Sequence, residues 1–134
     1  LGAAYVDLDD FKRVNDEFGH HVGDRVLVAL ARRIEGVVRT EDTAARLGGD
    51  EFLVVLPRLS APKALDEIGE KLEAVISEPL EVASKRIVMN ASIGLALFDT
   101  ERDDERSLVI EADIAMYQAK RAGGQRIMRA GVDE

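Results

Sequence analysis

The feature that most constrains this chain is a pair of glycines between two extended runs, Leu47-Gly48-Gly49-Asp50-Glu51-Phe52. Thr43 to Leu47 leads in, and the apolar run Phe52 to Leu56 leads out and is closed by Pro57. Glycine takes positive φ without strain, so such a joint reads as a tight β-hairpin. Asp50 and Glu51 at its mouth are a poor choice for stability. They are a sensible one if glycine backbone must approach a phosphate while a carboxylate holds a cation beside it. Taken alone, the motif is better read as a surface hairpin with solvated acids, and the rest of the chain has to change that.

Upstream, Ala3 to Leu8 is a short apolar strand that breaks into Asp7-Leu8-Asp9-Asp10. A buried strand ending in acids places carboxylates at a sheet's edge, where ligands gather. Either Asp9 or Asp10 can cap the next helix, and Asp10 is read as that cap. Asp7 lies inside the strand pattern, and burying it unpaired would be costly, so it wants a cation. The spacing predicts a helix over 11–18, ending at Gly19, then a turn over His20-His21-Val22-Gly23-Asp24. A long helix follows with an apolar stripe from Val26 to Val38, and Asp24 suits its first turn by capping and dipole. Ser60 and Pro62 open a further helix striped by Leu65, Ile68, Leu72, Val75 and Ile76, and Pro79 ends it. A small hairpin over 81–89, a core strand over 90–98, a solvated loop over 101–106 and a helix closed by Gly123-Gly124 come next. An edge strand is expected over 126–128.

The order β-α-α-β-β-α-(ββ)-β-α-β predicts one α+β domain, a ferredoxin-like or palm sandwich with a mostly antiparallel central sheet flanked by helices. In that arrangement the end of the first strand lies beside the central hairpin, so Asp7 and Asp50 converge, the geometry of metal-assisted phosphoryl transfer. The 134 residues, 46% hydrophobic, suffice for one core. The start at Leu1, inside an apolar run, suggests a piece of a longer chain. No cysteine is present, which excludes disulfides and fits a cytoplasmic location. The formal charge of −8 argues against nucleic acid or an anionic membrane as partner, and no stretch has the length of a membrane span. A polyanionic ligand would need a local cation.

Five segments, in order, resemble the GGDEF domain of diguanylate cyclases: 7–16 (DLDDFKRVND), 19–24 (GHHVGD), 46–52 (RLGGDEF), 91–94 (ASIG) and 112–120 (ADIAMYQAK). The resemblance implies condensation of two GTP into cyclic di-GMP with release of pyrophosphate, using Mg²⁺ or Mn²⁺, in a homodimer. It implies that Asp7, the backbone carbonyl of Leu8 and Asp50 hold metal, with Glu51 assisting. Gly48 and Gly49 would leave room for the triphosphate, Lys12 and Lys120 would neutralise it, and Asn15, His20 and Asp24 would line the base and sugar pocket. A carboxylate can accept from both N1–H and N2–H₂ of guanine, a donor pair adenine lacks. The family also gives Asp50 as proton acceptor from the attacking 3′-hydroxyl. An ordinary aspartate pKa of about 3.9 makes it a weak base, so loss of that proton to water or phosphate stays open.

Arg39-Thr40-Glu41-Asp42 stands where the family carries an RxxD product-inhibition site, a fork and a carboxylate suited to guanine's edges. A second arginine from the following helix has only Glu70 and Lys71 as counterparts. The family's opening helix and its Asp-x-Leu-Thr-Gly-Leu-x-Asn-Arg segment are absent, and Gly123-Gly124-Gln125 stands where the family often has Gly-Arg-Asn, so that an arginine for the triphosphate is either missing or replaced by Arg126. Two rival readings are a catalytically silent module that binds GTP or cyclic di-GMP to regulate a fused domain such as a phosphodiesterase, and a different palm-type nucleotidyl cyclase or polymerase.

Overall fold

A computed structural model of the chain describes residues 1–98 and 104–131. Strand β1 (Gly2–Asp9) runs into helix α1 (Phe11–Phe18) and helix α2 (His20–Val37). Strands β2 (Thr43–Gly48) and β3 (Glu51–Leu56) form the central hairpin, followed by helix α3 (Pro62–Ser77). A small separate hairpin of β4 (Leu80–Val82) and β5 (Lys85–Ile87) precedes β6 (Asn90–Leu97), helix α4 (Glu105–Arg121) and β7 (Arg126–Arg129). The expected order of elements is the one found.

The main sheet has the order β2-β3-β1-β6-β7. Every pairing in it is antiparallel except β6 with β7. Strand β1 is therefore central, and the alternation of its side chains divides the molecule. Ala4, Val6 and Leu8 join the larger apolar core with Val26, Leu30 and Ile34 of α2 and Leu65, Leu72 and Ile76 of α3. Ala3 and Tyr5 face the other way, against Leu108, Ala112 and Met116 of α4. Leu8, Leu30, Leu65 and Leu72 are wholly buried.

Small residues let helices come close where the site needs them. At Gly94 of β6 an added Cβ would lie 2.0 Å from the Ala112 carbonyl and 2.2 Å from the Met116 nitrogen, so α4 rests its backbone directly on the sheet. Arg33 of α2 ties the two helices of the other face. Its guanidinium donates to the carbonyls of Val75 (3.0 Å), Glu78 (2.6 Å) and Pro79 (3.0 Å), groups left without helical partners at the end of α3.

Several local expectations are corrected. Residues 20–24 are helix rather than turn, because α2 starts at His20 directly after Gly19. Asp24 thus lies beyond the first turn and caps nothing. Asp10 precedes α1 with a left-handed backbone (φ 57°) and no capping bond from its side chain; its carboxylate lies 3.4 Å from Arg13 Nε instead. The residue preceding α3 is Ala61, and Ser60 makes no cap there. The expected loop over 101–106 lies partly outside the described residues, and its described end is already α4, where Asp104 accepts from the Ser107 amide. Among the described residues no helix is long and apolar enough to cross a membrane.

Candidate functional site

The β2–β3 hairpin turns through Gly49 and Asp50. Gly48 has φ 145° and Gly49 φ 52°, and a Cβ at either would meet nothing within 4 Å, so the turn is both glycine-requiring and open on its outer side. The register shifts between Arg46 and Gly48, and Arg46 Nη1 donates back to the Gly49 carbonyl (3.3 Å). This bulged corner aims Asp50 and Glu51 at the end of β1.

There the expected convergence is found. Asp7 pairs in register with Glu51 on one side and Ser92 on the other, and the Leu8 amide donates to the Asp50 carbonyl at 3.1 Å. Residues far apart in sequence thus share one corner of the sheet. Leu8 contributes its side chain to the core while its carbonyl stays at this corner, because the side chain stands out of the sheet and the carbonyl lies roughly in its plane.

The cation that Asp7 wants is Lys120, in the last turn of α4. Its Nζ lies 3.1 Å from Asp7 Oδ1 and 3.2 Å from Asp9 Oδ1, and it donates to the Leu8 carbonyl at 3.3 Å. Burial lowers the Lys120 pKa, but hydrogen bonds and attraction to Asp7 and Asp9 more than offset this and leave it raised. Asp7 itself is raised from 3.8 to about 6. Burial is the main cause; the negative charges of Asp50 and Glu51 add to it, and the Lys120 ammonium does not cancel it. Tyr5, 8% exposed, donates its hydroxyl to Glu51 Oε1 at 2.9 Å. Burial, that hydrogen bond and the neighbouring carboxylates push its phenol up to about 12.

Among the described residues, His, Cys, Asp and Glu side chains nowhere gather in threes as a ready-made metal cage. The candidate set is Asp7, the Leu8 carbonyl and Asp50. These are hard oxygen donors, and Asp7 is a buried carboxylate already occupied by a positive charge. Such a set fits Mg²⁺ or Mn²⁺, ions commonly held by one or two carboxylates plus substrate phosphates.

The other expected residues are distributed as follows. Asn15 lies against α2, where an added Cβ at Gly23 would be 1.8 Å from its Oδ1, so Gly23 is what lets Asn15 pack against that helix. His20 is exposed at the start of α2. Asp24, with His21, Arg25 and Arg32, lines a cleft of about 370 Å³ between α2 and the β4–β5 hairpin. Lys12 is exposed and lies 3.7 Å from Asp16 on α1, apart from the Lys120 cluster in its contacts. Arg126 turns back on its own turn, Nε donating to the Gly124 carbonyl at 3.0 Å.

Arg39 and Asp42 form a closed turn: the Arg39 amide donates to Asp42 Oδ2 (2.9 Å) and the Asp42 amide to the Arg39 carbonyl (3.0 Å). They line a cleft of about 270 Å³ with Arg58 and Lys71. Arg58 was missed by sequence reasoning, which sought the second cation on the following helix; it sits just after β3 and reaches the cleft only through the fold. Asp9, for which the sequence offered nothing beyond capping, is the larger omission. Its partners, Ser92, Lys120 and Gln125, are separated from it by 83, 111 and 116 positions, and no local pattern could have announced them.

The sequence model described as "Diguanylate cyclase, GGDEF domain" matches residues 1–126. Over 119 residues the chain is 45% identical to the bifunctional diguanylate cyclase/cyclic di-GMP phosphodiesterase MucR of Pseudomonas aeruginosa, covering 89% of this chain and 17% of that protein. The crystal structure of the GGDEF domain of TpbB (YfiN) from Pseudomonas aeruginosa superposes with a TM-score of 0.92 at 36% identity, covering 98% of this chain and 83% of that one. The GGDEF domain of DgcB from Caulobacter crescentus, solved in complex with c-di-GMP, gives 0.89 at 30% identity, covering 98% and 78%. The chain spans between about a sixth and a third of the length of the curated relatives it matches.

Proposed function

The chain belongs to the GGDEF family of diguanylate cyclase domains, and from that premise we propose that it condenses two GTP into cyclic di-GMP with release of pyrophosphate. The observation that carries this reading is the meeting of Asp7, the Leu8 carbonyl and the Asp50–Glu51 corner beside an open Gly48–Gly49 turn, with Lys120 as local cation. Asp7, the Leu8 carbonyl and Asp50 would hold Mg²⁺ or Mn²⁺. The bound ion would supply charge neutralisation at the triphosphate and acidify the attacking hydroxyl.

The protein's own groups do the rest. The glycine turn, with no side chain over it, lets phosphate oxygens approach backbone amides. Lys120 and Lys12 bring positive charge to a chain whose net charge repels a nucleotide. Asn15 and Asp24 offer an amide and a carboxylate for the guanine edge, His20 is exposed at the start of the same helix as Asp24, and Glu51 is held in place by Tyr5. One protomer presents one nucleotide, so ring closure calls for two copies facing each other.

Full-length protein incubated with GTP and Mg²⁺ should yield cyclic di-GMP, identified by mass spectrometry; no product from a verified dimer ends the proposal. The Arg39–Asp42 cleft, with Arg58 and Lys71, is suited to retain product. Arg39→Ala should then weaken product inhibition about tenfold, as expected for one bidentate contact, and an unchanged inhibition curve removes that site. A second reading takes support from the cyclic di-GMP phosphodiesterase NbdA of Pseudomonas aeruginosa, 35% identical over 123 residues, whose name gives only the phosphodiesterase: a silent module in a fused protein. It predicts calorimetric binding of GTP or cyclic di-GMP with no turnover.

A further inference from the structure

Asp9 stands next to the proposed metal ligands but is built differently from them. Oδ1 accepts from Ser92 Oγ at 2.7 Å and from Lys120 Nζ at 3.2 Å, and Oδ2 accepts from the Gln125 amide at 2.7 Å. Gly124 closes over it, since a Cβ there would lie 2.8 Å from Oδ2, and Ser92 is wholly buried. Both carboxylate oxygens are thus consumed by donors from β6, α4 and the turn into β7. Little of Asp9 is left to bind a cation. Its contacts lead to Lys120.

The Lys120 ammonium has three protons and, besides Asp9, two other acceptors: Asp7 and the Leu8 carbonyl. Those two are the oxygens proposed above for the divalent ion. An ammonium and a divalent cation compete for them, because like charges at such separation repel. The contact with Asp9 lies outside the metal's set and survives the exchange. Resting on the proposed function, we infer that Asp9 is a positioning residue: it keeps Lys120 at the site when metal takes over Asp7 and the Leu8 carbonyl, so that the ammonium meets the triphosphate. Ser92 and Gly124 hold Asp9 for that task.

The test is a double-mutant cycle in the full-length protein. Asp9→Asn should weaken calorimetric affinity for a non-hydrolysable GTP analogue with Mg²⁺ by on the order of tenfold, the loss of one charge-assisted contact. In a Lys120→Met background the same change should cost less than about twofold, because its route of action is gone. Equal cost in both backgrounds overturns the proposal. A second arm uses Mn²⁺ alone, followed by electron paramagnetic resonance without nucleotide. Lys120→Met should tighten Mn²⁺ severalfold by vacating Asp7 and the Leu8 carbonyl, and unchanged Mn²⁺ affinity overturns the exchange. If Asp9→Asn abolishes Mn²⁺ binding in the Lys120→Met background, Asp9 is a metal ligand and the inference falls. Should the analogue bind no variant, the cyclase reading fails, while the Mn²⁺ arm still judges the exchange. If Asp9→Asn does not fold, Ser92→Ala, which removes one donor to the same carboxylate, should act in the same direction with the same dependence on Lys120; additivity there overturns the proposal.

Discussion

The two sides of β1 are made from one octapeptide and do opposite jobs. On one side Ala4, Val6 and Leu8 are wholly buried among aliphatic residues of α2 and α3. On the other, Ala3, Tyr5, Asp7 and Asp9 begin as a small apolar patch under α4 and end as a line of ionisable groups. The first side holds the strand down by burial, worth roughly 1.5–3 kcal/mol for each large aliphatic side chain. The second spends some of that on keeping Asp7 ionised where it is poorly solvated. A strand secured on one side can tolerate an unfavourable charge on the other, the trade expected of a functional surface.

This contrast can be broken experimentally. The largest effect belongs to the charged side: Asp50→Asn should lower turnover on the order of a thousandfold while leaving the melting temperature close to wild type. Retained turnover would remove Asp50 from its assigned role. Next, on the apolar side, Leu30→Ala should cost about 3 kcal/mol in denaturant unfolding and affect nucleotide affinity little; a large change in affinity at small cost in stability would mean that the two sides are not separable.

The third effect depends on pH. Because the Asp7 pKa is raised in the folded chain, from 3.8 to about 6, the folded state binds a proton that the unfolded state does not bind between those values. Metal-free stability from this residue is therefore higher at pH 5 than at pH 7.5, by about 1 kcal/mol on linkage. It falls as pH rises through the folded pKa. Asp7→Asn should remove that difference, gaining on wild type at pH 7.5 relative to pH 5. Parallel stability curves for the two proteins would refute it. Smallest is Tyr5→Phe, which takes one hydrogen bond from Glu51 and should cost about 1 kcal/mol of stability. In wild type one phenol should ionise only near pH 12 in an ultraviolet titration, and that late step should vanish in the variant.

Periodicity and glycine–proline punctuation were enough for the element order, because burial on a strand or helix face repeats locally. They failed where a residue's reason lay elsewhere. Gly23 suggested a turn over 20–24, yet it sits inside α2 to make room for Asn15. Asp10 has the residue type of a cap, but its left-handed backbone sends the carboxylate to Arg13. Asp7 and Asp50 could be paired in advance because the order of strands dictates that neighbourhood. Asp9 could not, since Ser92, Lys120 and Gln125 reach it through β6, α4 and the turn before β7 together.

The direct seating of α4 on Gly94 also fixes how that helix is indexed. Held at Ala112 and Met116, it behaves as a screw whose thread is set at one place, and each added residue advances about 1.5 Å and turns about 100°. A single residue inserted between Met116 and Lys120 would swing the ammonium away from β1 while leaving the anchor untouched. The length of that short interval is therefore as strict a requirement as the identity of the lysine at its end.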